Sequence, residues 1–288
     1  MTGAAEVSGA RDLATAAART AGVTLRALHD VTGIAAVTDF FSDVWQTPRS
    51  TPPYPAEVLH SLVHAGGAVH AAYDGTRLAG AAVAVFGPPE HADVYSFVAA
   101  AAASDRGVGY AVKQAQRVWA LERGARTMRW TFDPLVGRNA RFNLVKLGAV
   151  GTEYLVDFYG PMADGVNDGD ESDRLTVTWD LTPARHPART AHPAPGNGAD
   201  DRDAAPATHP APDGAPLARR GLDDRHIWCR VPDDIVKLRA VEPLLALRWR
   251  HALREVLTEA FAERYVATAM SRDGWYTLTR ATEGNTPA

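Results

Sequence analysis

The chain has 288 residues, 46% of them apolar and 22% charged, enough to build about two domains at roughly 150 residues each. With 30 Lys and Arg against 34 Asp and Glu, the formal net charge is −4, which argues against a general nucleic-acid binder, because that affinity rests on basic side chains neutralising phosphates. The single cysteine, Cys229, excludes an intramolecular disulfide framework and a cysteine-cluster zinc site, and no apolar run approaches the roughly 20 residues that cross a bilayer.

The expectation is a cytoplasmic protein without nucleic-acid or membrane partners. Residues 1–22 are rich in Ala, Gly, Ser and Thr and are predicted to form a disordered tail. A transit peptide is the alternative, since Arg11 and Arg19 sit among small residues, although Glu6 and Asp12 count against it.

Val23 to Leu28 reads as a short strand. Thr32 is expected to cap a helix that carries Ile34, Val37, Phe40, Phe41, Val44 and Trp45 on one face, ended by Pro48, Pro52 and Pro53. Ala56 to Val63 reads as a second helix, with His60 and His64 on one face. No glutamate follows His60 as a hydrolytic zinc site needs, so these histidines read as exposed or capping. Ala68–Tyr73 and Leu78–Phe86 flank Asp74-Gly75 and predict a hairpin. Val94 to Ala102 is apolar with little alternation and predicts a strand buried on both sides.

The most informative junction follows. The strand runs into Ser104-Asp105-Arg106-Gly107-Val108-Gly109-Tyr110, and a helix then sets Val108, Ala111, Val112, Ala115 and Trp119 on one face. Lys113, Gln114, Gln116 and Arg117 lie off that face, and Gly124 is the expected stop. A strand, a glycine turn and a helix start together present free backbone N–H groups at the positive end of the helix dipole, which can cradle a phosphate or pyrophosphate. A plain tight turn is the alternative. No Gly-Lys-Ser or Gly-Lys-Thr follows, so it is not a P-loop, and the third glycine of a dinucleotide fingerprint is missing.

Thr127 to Phe132 reads as the next strand and Arg138 to Leu147 as a helix closing on Leu147-Gly148-Ala149. With the Arg106–Gly109 turn, the run Asn139 to Ala149, the sequence Trp130-Thr131-Phe132-Asp133-Pro134-Leu135 and Ser172-Asp173-Arg174-Leu175, the chain resembles the GNAT acyltransferase superfamily. The last two motifs resemble a poorly characterised bacterial branch of predicted acetyltransferases. The resemblance implies an α/β (α+β) fold, with a GNAT-like mixed sheet and splayed central strands. It implies acetyl-CoA or another acyl-CoA as co-substrate, with no metal, held by Asp105, Arg106, Gly107, Val108, Gly109, Tyr110 and Asn139. A backbone N–H of the first splayed strand would polarise the thioester carbonyl. The amine of a small molecule such as an amino acid would attack directly, and a base would remove its proton.

The tyrosine that many members use as a general acid in the last helix is replaced here by Leu144. Tyr159 is the alternative acid, and an edge-strand aromatic is its structural reading. Asp133, at a strand end before Pro134, is expected to bind the substrate ammonium or take its proton, or else to cap the following turn. Glu90, His91, Asp173 and Arg174 are further substrate-site candidates. For the last two, an ion pair across the loop is the alternative.

From Pro183 to Pro216 the chain is dominated by Pro and Ala, predicting a disordered linker that cannot offset its ordering entropy. His186, His192 and His209 lie inside it, too irregularly spaced to suggest a metal site. The expected division is therefore a GNAT-like domain at 23–182, a linker at 183–216, a smaller α+β segment at 217–281 packed on that domain, and a tail at 282–288. In the smaller segment, Ile227–Val231 reads as a strand, Pro232–Val236 as the start of a helix, and Glu242–Phe261 as a long helix. Leu244, Leu245, Leu247, Trp249, Leu253, Val256, Leu257 and Phe261 form its core face, with Arg248, Arg250 and Arg254 on a solvated face. Two strands surround Arg272-Asp273-Gly274. The leading function is an acyl-CoA-dependent N-acyltransferase, the alternative a non-catalytic acyl-CoA-binding module, and a homodimer stays open.

Overall fold

The computed structural model describes residues 2–88, 90, 92–102, 106–162, 170–182 and 198–281. The chain divides into two compact units. Among the described residues, one comprises 2–130 with 180–182, and the other comprises 131–162, 170–179 and 198–281. The division falls inside the span expected to be one GNAT-like domain, and the C-terminal segment shares its unit with residues 131–162.

The first unit opens with helix α1 (Thr2–Ala21), followed by β1 (Thr24–Leu28), α2 (Val31–Trp45), α3 (Ala56–His64), β2 (Ala68–Asp74), β3 (Arg77–Phe86), β4 (Asp93–Ala101), α4 (Val108–Glu122) and the start of β5 (Thr127–Phe132). Strands β1 to β4 pair antiparallel in sequence order, and β4 pairs parallel with β5. This mixed α/β architecture covers its sheet on both faces. Ile34, Val37 and Phe41 of α2 and Leu59 of α3 pack with Val69, Ala71, Ala81 and Val83. Ala21 of α1 and Val108, Ala111 and Val112 of α4 pack with Ala72, Ala79 and Ala82. Double coverage explains the near-continuous apolar reading of β2 and β3. Gly80 lets α4 approach closely, because a Cβ there would meet Val108 Cγ1 at 2.7 Å.

The expected disordered tail at 1–22 is corrected, for α1 is ordered. It runs antiparallel to α4, with Arg11 paired to Glu122 at 2.6 Å, Glu6 to Arg126 at 3.3 Å, and Ala21 packed near Val108. Ala10, Ala14 and Ala21 are buried, and with Ala17 they recur at intervals of four, three and four, one face of a helix. Lys113, Gln114, Gln116 and Arg117 of α4 are buried rather than off the core face, Lys113 and Gln116 reaching Ser96 of β4 and Arg117 reaching Leu181 O. The cap of α2 is Asp30, whose Oδ1 accepts from Gly33 N at 2.8 Å, rather than Thr32. On β4, Phe97 is exposed while Val94, Ser96 and Val98 are buried, so this strand alternates after all.

The second unit holds α5 (Gly137–Arg141), a π-helical turn (Phe142–Lys146), β6 (Val150–Leu155), β7 (Arg174–Asp180), α6 (Gly198–Ala204), β8 (Ala207–Pro210), β9 (Pro216–Arg220), β10 (His226–Arg230), α7 (Ile235–Val241), α8 (Pro243–Ala262), β11 (Tyr265–Met270) and β12 (Trp275–Arg280). Its strands pair antiparallel in the order β7-β6-β11-β12-β10-β9-β8. Trp249, Leu253, Val256, Leu257 and Ala260 of α8 are buried, whereas Leu244 is 75% exposed and belongs to no core. Helix α6 and strand β8 fall in the span expected to be linker; residues 183–197 of that span lie outside the described residues. Among the described residues no helix is long and apolar enough to cross a membrane.

Candidate functional site

The site begins where two parallel strands part. Strands β4 and β5 are paired only through Asp93, Val94 and Tyr95 against Thr127, Met128 and Arg129. Asp93 and Arg129 also form an ion pair at 2.5 Å. Beyond Tyr95 and Arg129 the ladder stops, although β4 continues to Ala101. On its other edge, β4 pairs with β3 through a register shift, in which Val83 faces Val98 and Ala84 faces Ser96. Phe97 is thus the extra residue of a bulge, a device that leaves one residue outside the regular ladder.

Three side chains meet where the strands part. Ser96 on β4 and Trp130 on β5 are the first residues past the ladder. Lys113 of α4 reaches both, its Nζ donating to Ser96 Oγ at 2.7 Å and lying 3.8 Å from the centre of the Trp130 ring. Ser96 Oγ donates in turn to Gln116 Oε1 at 2.9 Å. Burial lowers the Lys113 pKa to about 7, because taking a charged amine out of water disfavours its protonated form. On β2, buried His70 has its pKa lowered to about 4, by burial first and then by Arg123 and His29. None of the polar residues at the parting was singled out from the sequence as a site residue, since the apolar pattern of α4 does not show that Lys113 and Gln116 face β4.

The glycine turn follows. Gly107 has φ +81° and caps α4. The left-handed conformation disfavours any residue with a Cβ. Space is not the reason for glycine here, since a Cβ would meet Ala21 Cβ at an ordinary 3.6 Å. The first intrahelical bond runs from Ala111 N to Gly107 O, so the amides of Val108, Gly109 and Tyr110 have no acceptor within the helix. Val108 is buried, Gly107, Gly109 and Tyr110 are half-buried, and Arg106 is exposed, 3.6 Å from Asp74. Asp105 and His91 lie outside the described residues, and Glu90 is exposed. These residues fit an anionic group: backbone donors, a left-handed glycine and an exposed arginine.

The remaining candidates belong to the second unit. Asp133 is buried in a four-membered ion cluster. Its Oδ1 accepts from Leu135 N at 3.0 Å and Arg250 Nη1 at 2.8 Å, and its Oδ2 accepts from Arg250 Nη2 at 3.2 Å and from Arg239 Nη2. Asp170 accepts from Arg239 Nε at 2.6 Å and Arg250 Nη2 at 2.7 Å. Burial alone raises the Asp133 pKa, but Arg250 and Arg239 outweigh it and hold the carboxyl far below the usual range. A carboxylate so held is a poor proton acceptor near neutral pH. The turn-capping reading survives through Leu135 N, joined to a larger structural role. The solvated face expected for Arg250 is corrected, since that side chain is wholly buried.

Asp173 and Arg174 are neighbours that do not pair through their side chains. Asp173 accepts from Arg254 Nη2 at 2.7 Å, Arg254 Nε at 2.9 Å, Tyr154 Oη at 2.5 Å and Asp157 N at 2.9 Å. Arg174 donates to its neighbour's backbone carbonyl at 2.9 Å and to Met162 Sδ at 3.2 Å, and its guanidinium lies 5.0 Å from the Tyr159 ring centre. Tyr159 is 51% exposed, with its hydroxyl 3.5 Å from Thr131 Oγ1. Leu144 is buried in the π-helical turn, and Asn139 is exposed on α5.

No protein-family model and no curated protein matches the sequence. Among solved structures, the chain is similar to an N-acetyltransferase from Staphylococcus aureus Mu50, at 14% identity over 56% of this chain and 99% of that one, with a TM-score of 0.46. It is similar to yncA from Salmonella typhimurium, solved with its cofactor acetyl-CoA, at 14% identity over 58% and 99%, with a TM-score of 0.45. It is also similar to the ribosomal-protein-S18-alanine N-acetyltransferase from Escherichia coli, at 14% identity over 56% and 94%, with a TM-score of 0.41. These likenesses are distant, and the functional reading rests on the residues described above.

Proposed function

We propose that the chain is an acyl-CoA-dependent N-acyltransferase that moves an acetyl or related acyl group to the amine of a small molecule. The observation that carries this reading is the parting of β4 and β5 beyond Tyr95 and Arg129, together with the left-handed Gly107 at the start of α4. Parted parallel strands leave main-chain edges unpaired, and an extended pantetheine-like arm can use such edges as a strand would. The amides of Val108, Gly109 and Tyr110 suit the coenzyme's diphosphate. The bulge at Phe97 breaks the regular ladder of β4, and a backbone N–H freed there is the candidate donor to the thioester oxygen. When bound, the acyl-CoA supplies an activated thioester carbonyl.

A thiolate is a good enough leaving group to depart without a general acid, so the leucine at 144 does not exclude turnover. Tyr159, the acid proposed from the sequence, belongs to the second unit and is about half exposed. Asp133 is assigned to structure because both of its oxygens are engaged by arginines. A second reading, an acyl-CoA-binding module without turnover, is favoured by the buried Leu144 and the engaged Asp133.

Calorimetry with CoA, followed by a free-thiol release assay against a panel of D- and L-amino acids and other small amines, separates the readings. Thiol release that depends on the amine supports the transferase. Binding without release supports the module, and no binding of CoA removes both.

A further inference from the structure

We infer that His209, Glu255 and Glu259 form a binding site for a divalent transition-metal ion, with Zn²⁺ as its test ion. His209 stands on β8, the last strand of its sheet. Glu255 and Glu259 stand one turn apart on α8, so their carboxylates share a face. One ligand atom from each residue lies within 4.8 Å of the others. His209 Nε2 and Glu259 Oε2 are already 3.6 Å apart. Tetrahedral Zn²⁺ at ligand distances of about 2.0–2.1 Å sets neighbouring ligand atoms about 3.3 Å apart. Both glutamates are exposed, and side-chain rotation closes the remaining gap without moving the backbone.

Two further observations point to a cation. This unit is rich in arginine, and the acids nearest the pair on either side are engaged by it. Glu263, one turn beyond Glu259, pairs with Arg220 at 2.5 Å, and Asp213 pairs with Arg230 at 2.7 Å. Among the described residues, Glu255 and Glu259 have no ion pair with a lysine or arginine, and Glu259 faces only the imidazole. Like charges at this spacing repel, and a dication between them removes the repulsion. In addition, His209 Nδ1 lies 3.1 Å from Thr208 Oγ1, an outer contact that orients the ring and leaves Nε2 toward the carboxylates. A recess of about 50 Å³ lined by Thr208, Ile227, Val256 and Ala260 opens beside His209 and Glu259, room enough for a water as fourth ligand. Arg220 borders the same recess, but its charge is engaged by Asp224 and Glu263.

One imidazole and two carboxylates suit Zn²⁺ better than Ca²⁺ or Mg²⁺, which take oxygen ligands. The consequence is structural. Strand β8 meets β9 through two register shifts, so its hold on the sheet is irregular, and a bound ion would tie it to α8.

The full-length protein, stripped with chelator, is titrated with Zn²⁺ by calorimetry and melted with and without the ion. The expected result is one ion per chain at micromolar Kd or tighter, a raised Tm, and a visible tetrahedral spectrum when Co²⁺ replaces Zn²⁺. His209→Ala and the pair Glu255→Gln, Glu259→Gln each weaken binding by at least about tenfold, and the glutamine pair, relieved of the repulsion, does not lower the metal-free Tm. Absence of saturable binding, or equal affinity in wild type and variants, overturns the site.

Discussion

Lys113 Nζ lies 2.7 Å from Ser96 Oγ, at the point where β4 and β5 stop pairing. The amine has a hydroxyl and an aromatic face for company. Its protonated form therefore loses water without gaining a full counter-charge, and the neutral form is favoured on folding.

The pH dependence of stability follows from the direction of that shift. Between about pH 7 and the ordinary lysine value of 10.5, the unfolded chain carries this proton and the folded chain does not. Stability then rises with pH, at a slope approaching about 1.4 kcal/mol per pH unit from this group. His70 acts in the same sense between about pH 4 and 6.5, so stability falls on acidification through that window. Urea melts across pH 5 to 10 (an experimental range of about five units) should show both slopes. Lys113→Met should flatten the alkaline one. An unchanged alkaline slope in the variant means that another group carries it.

Asp133 is expected to matter for folding more than for catalysis. Asp133→Ala leaves Arg239 and Arg250 facing each other without this counter-charge, and breaking a buried ion pair costs about 3–5 kcal/mol. Denaturant melts test the loss. The depressed carboxyl contributes stability above the ordinary aspartate pKa, lost as pH falls below it. A folded Asp133→Asn variant of wild-type stability but no thiol release would restore a chemical role.

Gly107→Ala should act in two separable ways. The left-handed φ of +81° makes a Cβ cost about 1–2 kcal/mol. If the turn holds a diphosphate, the affinity for CoA should fall by more than the Tm shift explains, read by calorimetry on the folded fraction. Unchanged affinity argues against the cradle.

The first helix offers a contrast between charge and packing. Arg11→Ala removes an exposed pair with Glu122 and should cost no more than about 1 kcal/mol. Ala14→Leu forces extra volume into the face buried against α4 and should cost about 1–3 kcal/mol. Thermal melts of the two variants rank the contributions, and a larger loss for Arg11→Ala contradicts the packing account.

Local chemistry made several strands and helices legible, though β6 to β9, α1 and α6 were not read from it. The Asp74-Gly75 hairpin, the start of α4 after its glycine and β5 over Thr127–Phe132 all follow from turn residues and apolar runs a few positions long. The alanine face of α1 was legible too, at the spacing of Ala10, Ala14, Ala17 and Ala21, but small side chains hide a packing face inside a composition typical of tails. What the tertiary structure alone decided is which polar groups go inside. Lys113 is buried because α4 packs over β4 and β5, where Ser96 and Trp130 take up its amine. Asp133 finds Arg239 and Arg250 across more than 100 positions of sequence. Such pairings are set by how elements stack, and no local pattern encodes the partner of a charge. Turn residues and apolar runs determined the glycine turn and the elements beside it, because those signals are local; long-range packing determined which charges remain available for chemistry.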